Sequence, residues 1–347
     1  MAGPPRFPVS THCDGRRFFN PHGWPQARSF LSLPRWWFQT AVLGQGTPWP
    51  KPAPAPAKPR LPVAVPAGQV AVTFIGHATF LLQLPGLNIL TDPMFSPRAG
   101  PFGWAGPRRV RPPALALAEL PRIDAVLLTH NHYDHLDLPS LRWLARERRA
   151  PIITTLGNKV WLAARGLGPA VELDWWQSHA CTDRLTVTCT PAQHFSARAP
   201  WDRCRTLWGG FVIRAGDATI YFAGDTGYCD AFAEIGVRLG PVALALLPIG
   251  AYEPRWFMQP VHCNPAEAVR IHRDLRARRS LAMHFGTFKL TDEGIDDPPR
   301  ALASALAAAG VPPDEFAVPG FGETRLVPLA WDARPDWPGA RRGPGGG

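Results

Sequence analysis

Short apolar segments alternate with amphipathic segments along the chain from Gln69 to about Leu329. Continuous apolar runs are typical of strands buried on both faces, and apolar residues spaced three and four apart are typical of helices. The pattern predicts strands over residues 70–76, 78–84, 87–92, 124–130, 151–155, 185–190, 209–215, 218–225, 242–250 and 280–286. It predicts helices over residues 139–148, 158–166, 231–239, 265–277 and 299–310. Strands lead and helices follow in each half, which indicates an α/β protein with two stacked sheets flanked by helices.

The two ends of the chain have a different character. Residues 1–43 form an irregular, aromatic-rich arm, and residues 44–66 carry proline at nearly every second position in their middle. Such a proline-rich segment favours extended polyproline II and is expected to be an exposed linker. Residues 331–347 have no hydrophobic periodicity and are expected to be disordered. Residues 67–330 then remain as one folded domain, a length that suits one domain better than two.

Proline and arginine dominate the composition. Proline accounts for 41 of 347 residues, and the formal net charge is +10 although only four of the basic residues are lysines. Because the arginine guanidinium suits phosphate groups, the charge could attract nucleic acid, a phosphorylated substrate or a phospholipid surface. A GC-rich genome would produce the same arginine excess through its codons, so composition alone does not locate a site.

The sequence favours a cytoplasmic protein, with peripheral contact to the inner face of the membrane as an extension of that prediction. No apolar run reaches the ~18–20 residues that span a bilayer, and the first residues, MAGPPRFPVS, lack the apolar core of a signal peptide. Six cysteines are irregularly spaced without a C-x-x-C pair. Neither a disulfide framework nor a zinc ribbon is therefore indicated.

The densest chemistry lies in the segment LLTHNHYDHLD, residues 127–137. A predicted strand runs directly into four candidate metal ligands, which are His130, His132, Asp134 and His135. Imidazole and carboxylate groups suit Zn²⁺, Fe²⁺ or Mn²⁺, whereas a structural zinc site would use thiolates. Neighbouring side chains of one loop diverge and cannot close around a single ion, so the loop predicts two ions a few ångströms apart. A polar loop of unliganded histidines is the alternative.

Three further candidate ligands follow other predicted strands. His194 follows LTVTCTPAQ, Asp225 ends ATIYFAG, and His284 follows SLAM. Each would more often be structural if taken alone, but their shared position at strand ends favours a common role with the loop. Asp225 is the natural bridge between two ions, since a carboxylate can offer one oxygen to each.

These motifs resemble the metallo-β-lactamase superfamily and, within it, the N-acylphosphatidylethanolamine-hydrolysing phospholipase D family. The H-x-H-x-D-H loop and the later single ligands carry the wider resemblance. The narrower resemblance rests on segments such as GHATFLLQL, TDPMFSPRAGP, GPRRVRPP, ELDWWQ, PIGAYEPRWFM and AMHFGTF, and covers nearly all of residues 70–325. It implies an αββα sandwich, the metallo-β-lactamase fold, with two stacked mixed sheets and a binuclear zinc site.

The resemblance also implies roles for individual residues. One Zn²⁺ would be held by His130, His132, His194 and Asp225, and the other by Asp134, His135, Asp225 and His284. Asp134 and His262 are the implied catalytic residues, and Tyr133 and His262 are the implied contacts to the phospholipid.

Three of these assignments have a structural alternative. Tyr133 could be a loop aromatic that only packs, and His262 a helix-capping or solvent histidine. Asp92, in LTDP, is expected to orient a histidine ligand through its other ring nitrogen, or else to form a turn before Pro93. The chain also departs from the family at Arg198, because Ala197 stands beside it where the mammalian enzyme has a second basic residue.

The implied reaction is hydrolysis of N-acylphosphatidylethanolamine to an N-acylethanolamine and a phosphatidic acid. Two Zn²⁺ ions would activate water for in-line attack on phosphorus, and no G-x-S-x-G elbow indicates a covalent intermediate. Hydrolysis of another phosphodiester or of a lactone is the close alternative. A nuclease, suggested only by the charge, and a non-enzymatic scaffold are weaker alternatives. The predicted partner is a phospholipid, no nucleic acid is expected, and a homodimer is a candidate assembly.

The segment SFLSLPRWWFQTAVL, residues 29–43, is a candidate membrane-interfacial segment. Its aromatic residues, with Arg28 and Arg35 beside them, are of the kind that lies at headgroup depth on anionic lipid. The alternative is that these aromatic residues pack on the folded domain, because Pro34 interrupts any long amphipathic helix.

Overall fold

The computed structural model describes residues 7–21, 23–24, 32–216 and 218–329. The strands are β1 Gln69–Gly76, β2 Thr79–Leu84, β3 Leu87–Thr91, β4 Ala125–Leu128, β5 Ile152–Thr155, β6 Ala170–Leu173, β7 Ser178–Thr182, β8 Leu185–Thr190, β9 Gly210–Ala215, β10 Ala218–Phe222, β11 Leu244–Pro248, β12 Arg279–Met283, β13 Phe316–Ala317 and β14 Thr324–Pro328. The α-helices are α1 Leu33–Trp37, α2 Leu138–Glu147, α3 Asn158–Ala163, α4 Ala231–Arg238, α5 Arg255–Met258, α6 Pro265–Asp274 and α7 Asp297–Ala309. A π-helical turn, Phe38–Val42, and a 3₁₀ turn, Leu117–Glu119, complete the described elements. Within these ranges no helix is long and apolar enough to cross a membrane.

Two seven-stranded sheets lie face to face. The first has the order β14-β1-β2-β3-β4-β5-β6, and the second has the order β13-β12-β11-β10-β9-β8-β7. Each sheet is mixed, because β3 to β6 and β10 to β13 pair in parallel while the remaining pairs are antiparallel. The predicted αββα sandwich of two stacked mixed sheets is confirmed.

The main apolar core lies between the sheets. Phe80 of β2 and Phe211 of β9 belong to this one buried cluster. The neighbouring Leu81 points to the other face, where it packs in a second cluster with Leu141 and Leu144 of α2. Because β2 is buried on both faces, its sequence reads as a continuous apolar run rather than an alternating one.

Three predicted strands end earlier than the apolar pattern indicates. The segments predicted to reach residues 130, 225 and 286 leave their sheets after Leu128, Phe222 and Met283. The residues beyond these points belong to loops: the amide of Thr129 donates to Oδ1 of Asp92 rather than to a strand. The candidate ligands His130, Asp225 and His284 thus lie in the loops just after these strands.

Four strands were not predicted, and all four are edge strands of the two sheets: β6, β7, β13 and β14. Edge strands in proteins are often short and polar, which limits unwanted pairing with other chains. Accordingly β13 has only two residues, and the residues of β7 are exposed or partly exposed. The buried-strand pattern that reveals the inner strands is absent from such segments.

Most residues of the proline-rich segment 44–66 are exposed, as the composition predicts, but the segment is held against the folded domain rather than forming a free linker. Ala53 is buried and its amide donates to the Val110 carbonyl at 3.0 Å, while the Ala57 amide donates to the Phe321 carbonyl at 3.0 Å. Proline has no amide donor, so the intervening alanines make these bonds. The segment is extended, as expected, but it runs along the folded domain.

The described part of segment 29–43 also packs on the domain. The ring of Trp36 stacks on Phe257 with centroids 5.3 Å apart, and its Nε1 donates to Asp292 at 2.9 Å. The guanidinium of Arg35 lies 4.4 Å from the ring centroid of Trp256. These contacts support the packing alternative for this segment. Arg28 and residues 29–31, which belong to the predicted membrane-interfacial segment, and the tail 331–347, for which disorder was predicted, lie outside the described residues.

Candidate metal centre

The seven predicted ligands converge at one edge of the sandwich, between the two sheets. Residues 130–135 follow β4, and His194, Asp225 and His284 follow β8, β10 and β12. The structure brings them into two adjacent groups, in each of which the candidate donor atoms lie within 4.8 Å of one another. The structure therefore brings the side chains that follow these strand ends together at one place.

The first group consists of His130, His132, His194 and Asp225. Nδ1 of His132 lies 3.0 Å from Nε2 of His130 and 3.2 Å from Nε2 of His194. Oδ2 of Asp225 lies 3.9 Å from Nε2 of His130 and 3.8 Å from Nε2 of His194. Three imidazole nitrogens and one carboxylate oxygen thus face a common point.

The second group contains Asp134, His135 and His284, together with His77. Oδ2 of Asp134 lies 3.5 Å from Nε2 of His135 and 3.4 Å from Nε2 of His284. Asp225 reaches this group as well, with Oδ2 at 3.2 Å from His135 and Oδ1 at 3.1 Å from His284. Asp225 therefore lies between the two groups, in the position expected of a bridging carboxylate.

His77 is the member of the site that sequence reasoning missed. It follows β1 in the segment GHATF, and its Nε2 lies 3.0 Å from Oδ2 of Asp134. Its backbone has a φ of 59°, and its amide donates to Oγ1 of Thr287 at 3.0 Å. A positive φ is uncommon for a non-glycine residue and is typical of functional sites. A histidine directly after a predicted strand was the signal that could have found it.

Hydrogen bonds determine which ring nitrogen faces the site in two of the histidines. Nδ1 of His194 donates to the Val261 carbonyl at 2.8 Å, and Nδ1 of His135 donates to Oδ2 of Asp92 at 2.7 Å. A carbonyl and a carboxylate can only accept, so the proton of each ring lies on Nδ1. In each ring Nε2 is therefore the nitrogen that faces the site.

Asp92 also orients the His130 ring, through the hydroxyl group of Thr129. Oγ1 of Thr129 donates to Oδ2 of Asp92 at 2.7 Å, and the same oxygen lies 2.9 Å from Nδ1 of His130. Because the hydroxyl proton is used on the carboxylate, Nδ1 of His130 is the donor in the second bond. The contact expected between Asp92 and a histidine is present, and it reaches one histidine in each group.

Burial and neighbouring charges shift the pKa values of the candidate ligands in different directions. Burial lowers the pKa of His132 to about 3 and that of His194 to about 4, so both are neutral at physiological pH. Burial opposes the charge of Asp225, but the imidazoles of His135 and His284 hold its pKa well below the usual range. Burial likewise opposes the charge of His284, yet the Asp225 carboxylate raises the pKa of this imidazole to about 9.

The donor atoms fit a pair of divalent transition-metal ions. Nε2 of His135, Oδ1 of Asp225 and Nε2 of His284 are buried and close to one another, but among the described residues none of them makes a hydrogen bond of suitable geometry. Buried polar atoms without a partner are costly unless a ligand satisfies them. Nitrogen and carboxylate donors without thiolate suit Zn²⁺, Fe²⁺ or Mn²⁺.

His262 lies at the same centre. Its ring centroid is 5.0 Å from that of His194 and 5.4 Å from that of His284, and its buried Nδ1 has no hydrogen-bond partner in the described structure. The capping role in α6 belongs to Asn264, whose side chain accepts from the Glu267 amide at 2.9 Å. His262 is thus neither a cap nor a solvent histidine.

Tyr133 and Arg198 lie against each other beside the ligand loop. The Arg198 guanidinium lies 3.8 Å from the ring centroid of Tyr133, whose hydroxyl donates to the Arg198 carbonyl at 3.1 Å. Nη1 of Arg198 donates to the carbonyls of Asn131 and Leu136 at 2.8 and 2.9 Å. One side chain therefore joins the two ends of the loop that carries four candidate ligands.

The comparisons agree with this architecture. The family model of the beta-lactamase superfamily domain matches residues 87–285. N-acyl-phosphatidylethanolamine-hydrolyzing phospholipase D 1 of Caenorhabditis elegans is 41% identical over 68% of this chain and 69% of its own length. The mitochondrial N-acyl-phosphatidylethanolamine-hydrolyzing phospholipase D of Saccharomyces cerevisiae is 36% identical over 73% of this chain and 55% of its own length. Igni18, a metallo hydrolase from the archaeon Ignicoccus hospitalis, shares the fold with a TM-score of 0.58 and 23% identity, over 74% of this chain and 98% of that chain.

The protein belongs to the metallo-β-lactamase superfamily and is a metal-dependent hydrolase of that superfamily. Its relatives include proteins named as N-acyl-phosphatidylethanolamine-hydrolyzing phospholipases D.

Proposed function

We propose that the protein is a zinc-dependent phosphodiesterase of phospholipase D type. Its substrate would be N-acylphosphatidylethanolamine, and its products an N-acylethanolamine and a phosphatidic acid. The observation that carries the proposal is the pair of ligand groups that share Asp225, combined with the worm and yeast relatives named for this reaction. Paired ions are typical of enzymes that cleave phosphate esters.

The proposed ligand sets follow the two groups. His130, His132, His194 and Asp225 would hold one ion. Asp134, His135 and His284 would hold the other together with Asp225, whose oxygens lie 3.2 and 3.1 Å from His135 and His284. When bound, two Zn²⁺ ions supply Lewis acidity for water activation and for the charge that develops on the phosphoryl oxygens. Since Nε2 of His77 donates to Asp134, we assign His77 to the positioning of that carboxylate rather than to an ion.

His262 and Tyr133 are the proposed substrate contacts. His262 has a ring nitrogen within 4.8 Å of donor atoms of Asp225 and His284, and its Nδ1 has no partner among the described residues. This imidazole could hydrogen-bond a phosphodiester oxygen or the oxygen of the leaving alcohol. Asp134 takes part in catalysis as a ligand whose Oδ2 is fixed by His77. Tyr133, stacked on Arg198, would form part of the wall against which the lipid lies.

The proposal is tested with purified protein, N-acylphosphatidylethanolamine and mass spectrometry of the products. Phosphatidic acid and N-acylethanolamine should appear with zinc and disappear with chelator, and Asp225→Asn should abolish both. His272→Gln is the matched control, because His272 is a buried histidine outside the centre. The assignment would be overturned if the metal-loaded protein cleaved another phosphodiester or a lactone but did not cleave this lipid.

A further inference from the structure

Residues 97–109 form a narrow hairpin on the surface. The Ala99 amide donates to the Pro107 carbonyl at 3.0 Å, and the two sides meet in an antiparallel bridge between Arg98 and Arg108. A Cβ at Gly100 or Gly106 would lie 2.2 Å from a backbone oxygen of the opposite side. Only glycine allows this approach, so the hairpin has one closely packed form that presents its tip to solvent.

The tip of the hairpin carries two exposed aromatic rings. Phe102 is 81% exposed and Trp104 is 72% exposed, and their ring centroids are 5.8 Å apart. Single exposed apolar residues are normal, but adjacent large ones on a projecting turn mark an interaction surface. Aromatic residues of this kind are enriched where proteins meet the lipid headgroup region.

A basic cavity of about 670 Å³ lies at the base of the hairpin. Five cations line it, and no acidic residue does: Lys51, Arg98, Arg108, Arg109 and Lys289. Within the described part of the chain none of the five forms an ion pair with a carboxylate. Burial lowers the pKa of Arg109 to about 10, which still leaves it charged at neutral pH. The cavity is therefore a concentration of positive charge without a direct ion pair, complementary to a phosphate group.

The cavity adjoins the metal centre. The Arg109 guanidinium lies 4.7 Å from the ring centroid of Phe288, and this ring meets the edge of the His77 ring at a centroid distance of 5.2 Å. His77 in turn contacts Asp134. A membrane surface that met the hairpin and the cavity would thus lie on the side of the molecule near the proposed reaction centre.

We propose that the hairpin 97–109 docks the protein on an anionic phospholipid surface. Phe102 and Trp104 enter the headgroup region, and the basic cavity receives the phosphate of a neighbouring lipid. This inference rests on the proposed function, because an enzyme that hydrolyses a phospholipid has to reach a bilayer. It names a surface different from segment 29–43.

The test is cosedimentation of the full chain with vesicles that contain no N-acylated lipid, so that binding is measured without turnover. Vesicles of phosphatidylcholine alone are compared with vesicles containing 30% phosphatidylglycerol. F102S/W104S should lower binding to the anionic vesicles by about tenfold or more, since two large apolar groups are lost. K51Q/R108Q/K289Q should remove most of the preference for anionic vesicles. Inorganic phosphate should compete only weakly if the lipid surface is the partner.

Matched controls separate the proposal from general effects. Val237→Ser removes a side chain that is 73% exposed on α4, and Lys159→Gln removes an exposed charge on α3, so neither should change vesicle binding. Trp104→Phe should bind vesicles like the native chain, but it should lose the quenching of Trp104 fluorescence that brominated lipid causes in the native chain. Unchanged binding by F102S/W104S, or a change only in its oligomeric state by light scattering, would overturn the proposal. Vesicle binding without N-acylphosphatidylethanolamine hydrolysis would contradict the proposed function and leave the docking surface standing.

Discussion

Asp92 accepts a hydrogen bond from Nδ1 of His135 at 2.7 Å, and its carboxylate is completely buried. Through Thr129 it also orients His130, so one carboxylate sets the tautomers of histidines in both ligand groups. Such outer contacts fix ring orientation and raise ligand basicity.

Replacing Asp92 with Asn should weaken metal binding by about 10- to 100-fold. The amide cannot accept strongly from both His135 and Thr129, so the rings lose their fixed orientation. Metal retained after dialysis against buffered zinc is the measurement. Asp124→Asn, at the opposite end of β4, should retain the native metal content; equal loss in both variants would contradict this role for Asp92.

Removing ligands from one group should remove one ion at a time. His194→Ala should keep one equivalent of metal and His284→Ala should keep the other, whereas Asp225→Ala should lose affinity for both because it touches both groups. Equilibrium metal stoichiometry by mass spectrometry measures this. Two equivalents retained by Asp225→Ala would show that the carboxylate is not a bridge.

His77→Ala should lower the affinity of the second group without changing the first. The substitution removes the donor that holds Oδ2 of Asp134 at 3.0 Å. Titration with zinc should show one weakened and one native site. His77→Gln, whose amide can still donate, should restore most of the loss, and failure of both variants to alter the second site would refute the positioning role.

Arg198→Ala should destabilise the protein by about 1–3 kcal/mol, because the Asn131 and Leu136 carbonyls lose a shared donor in a partly buried position. Denaturant unfolding measures the change. Arg165→Ala is the matched control: its guanidinium lies 3.6 Å from the Trp161 ring centroid, but the residue is exposed. Its effect should stay within about 0.5 kcal/mol. Equal effects would mean that the loop contacts contribute nothing.

Acid should destabilise the fold through His272. This residue is buried, with Nδ1 2.8 Å from Oγ of Ser280, and burial lowers its pKa to about 4 from the ordinary 6.5. Between pH 6.5 and about pH 4 the histidine is protonated in the unfolded chain but stays neutral in the folded protein. The free energy of unfolding therefore decreases as the pH falls through this range, by at most about 3 kcal/mol. His272→Gln should flatten this part of the stability profile. An unchanged slope would show that other groups cause the acid sensitivity.

Much of the architecture could be predicted because the inner strands and the helices have local hydrophobic patterns in the sequence. Inner strands such as β2 are buried on both faces and read as continuous apolar runs. The four edge strands could not be found in this way, since exposure leaves them without that pattern. The attachment of the proline-rich segment to the domain could not be predicted for a related reason: its alanine amides donate to the carbonyls of Val110 and Phe321, far along the chain.

The sequence by itself determined the candidate ligands, apart from the contribution of His77. His130, His132, Asp134 and His135 stand in one loop after one strand, and residue type with spacing is enough to identify a metal site there. The later ligands were recognisable because each follows an apolar run, and strands carry such residues to a sheet edge.

Only the tertiary structure decided how these ligands are divided, oriented and approached. The pairing of Asp92 with His135, of His77 with Asp134 and of Arg198 with the loop joins residues from different strand ends. The basic cavity likewise assembles residues 51, 98 and 289. Hydrogen bonds and charge interactions act over a few ångströms, so sequence separation does not reveal them until the two sheets stack and bring the strand ends together.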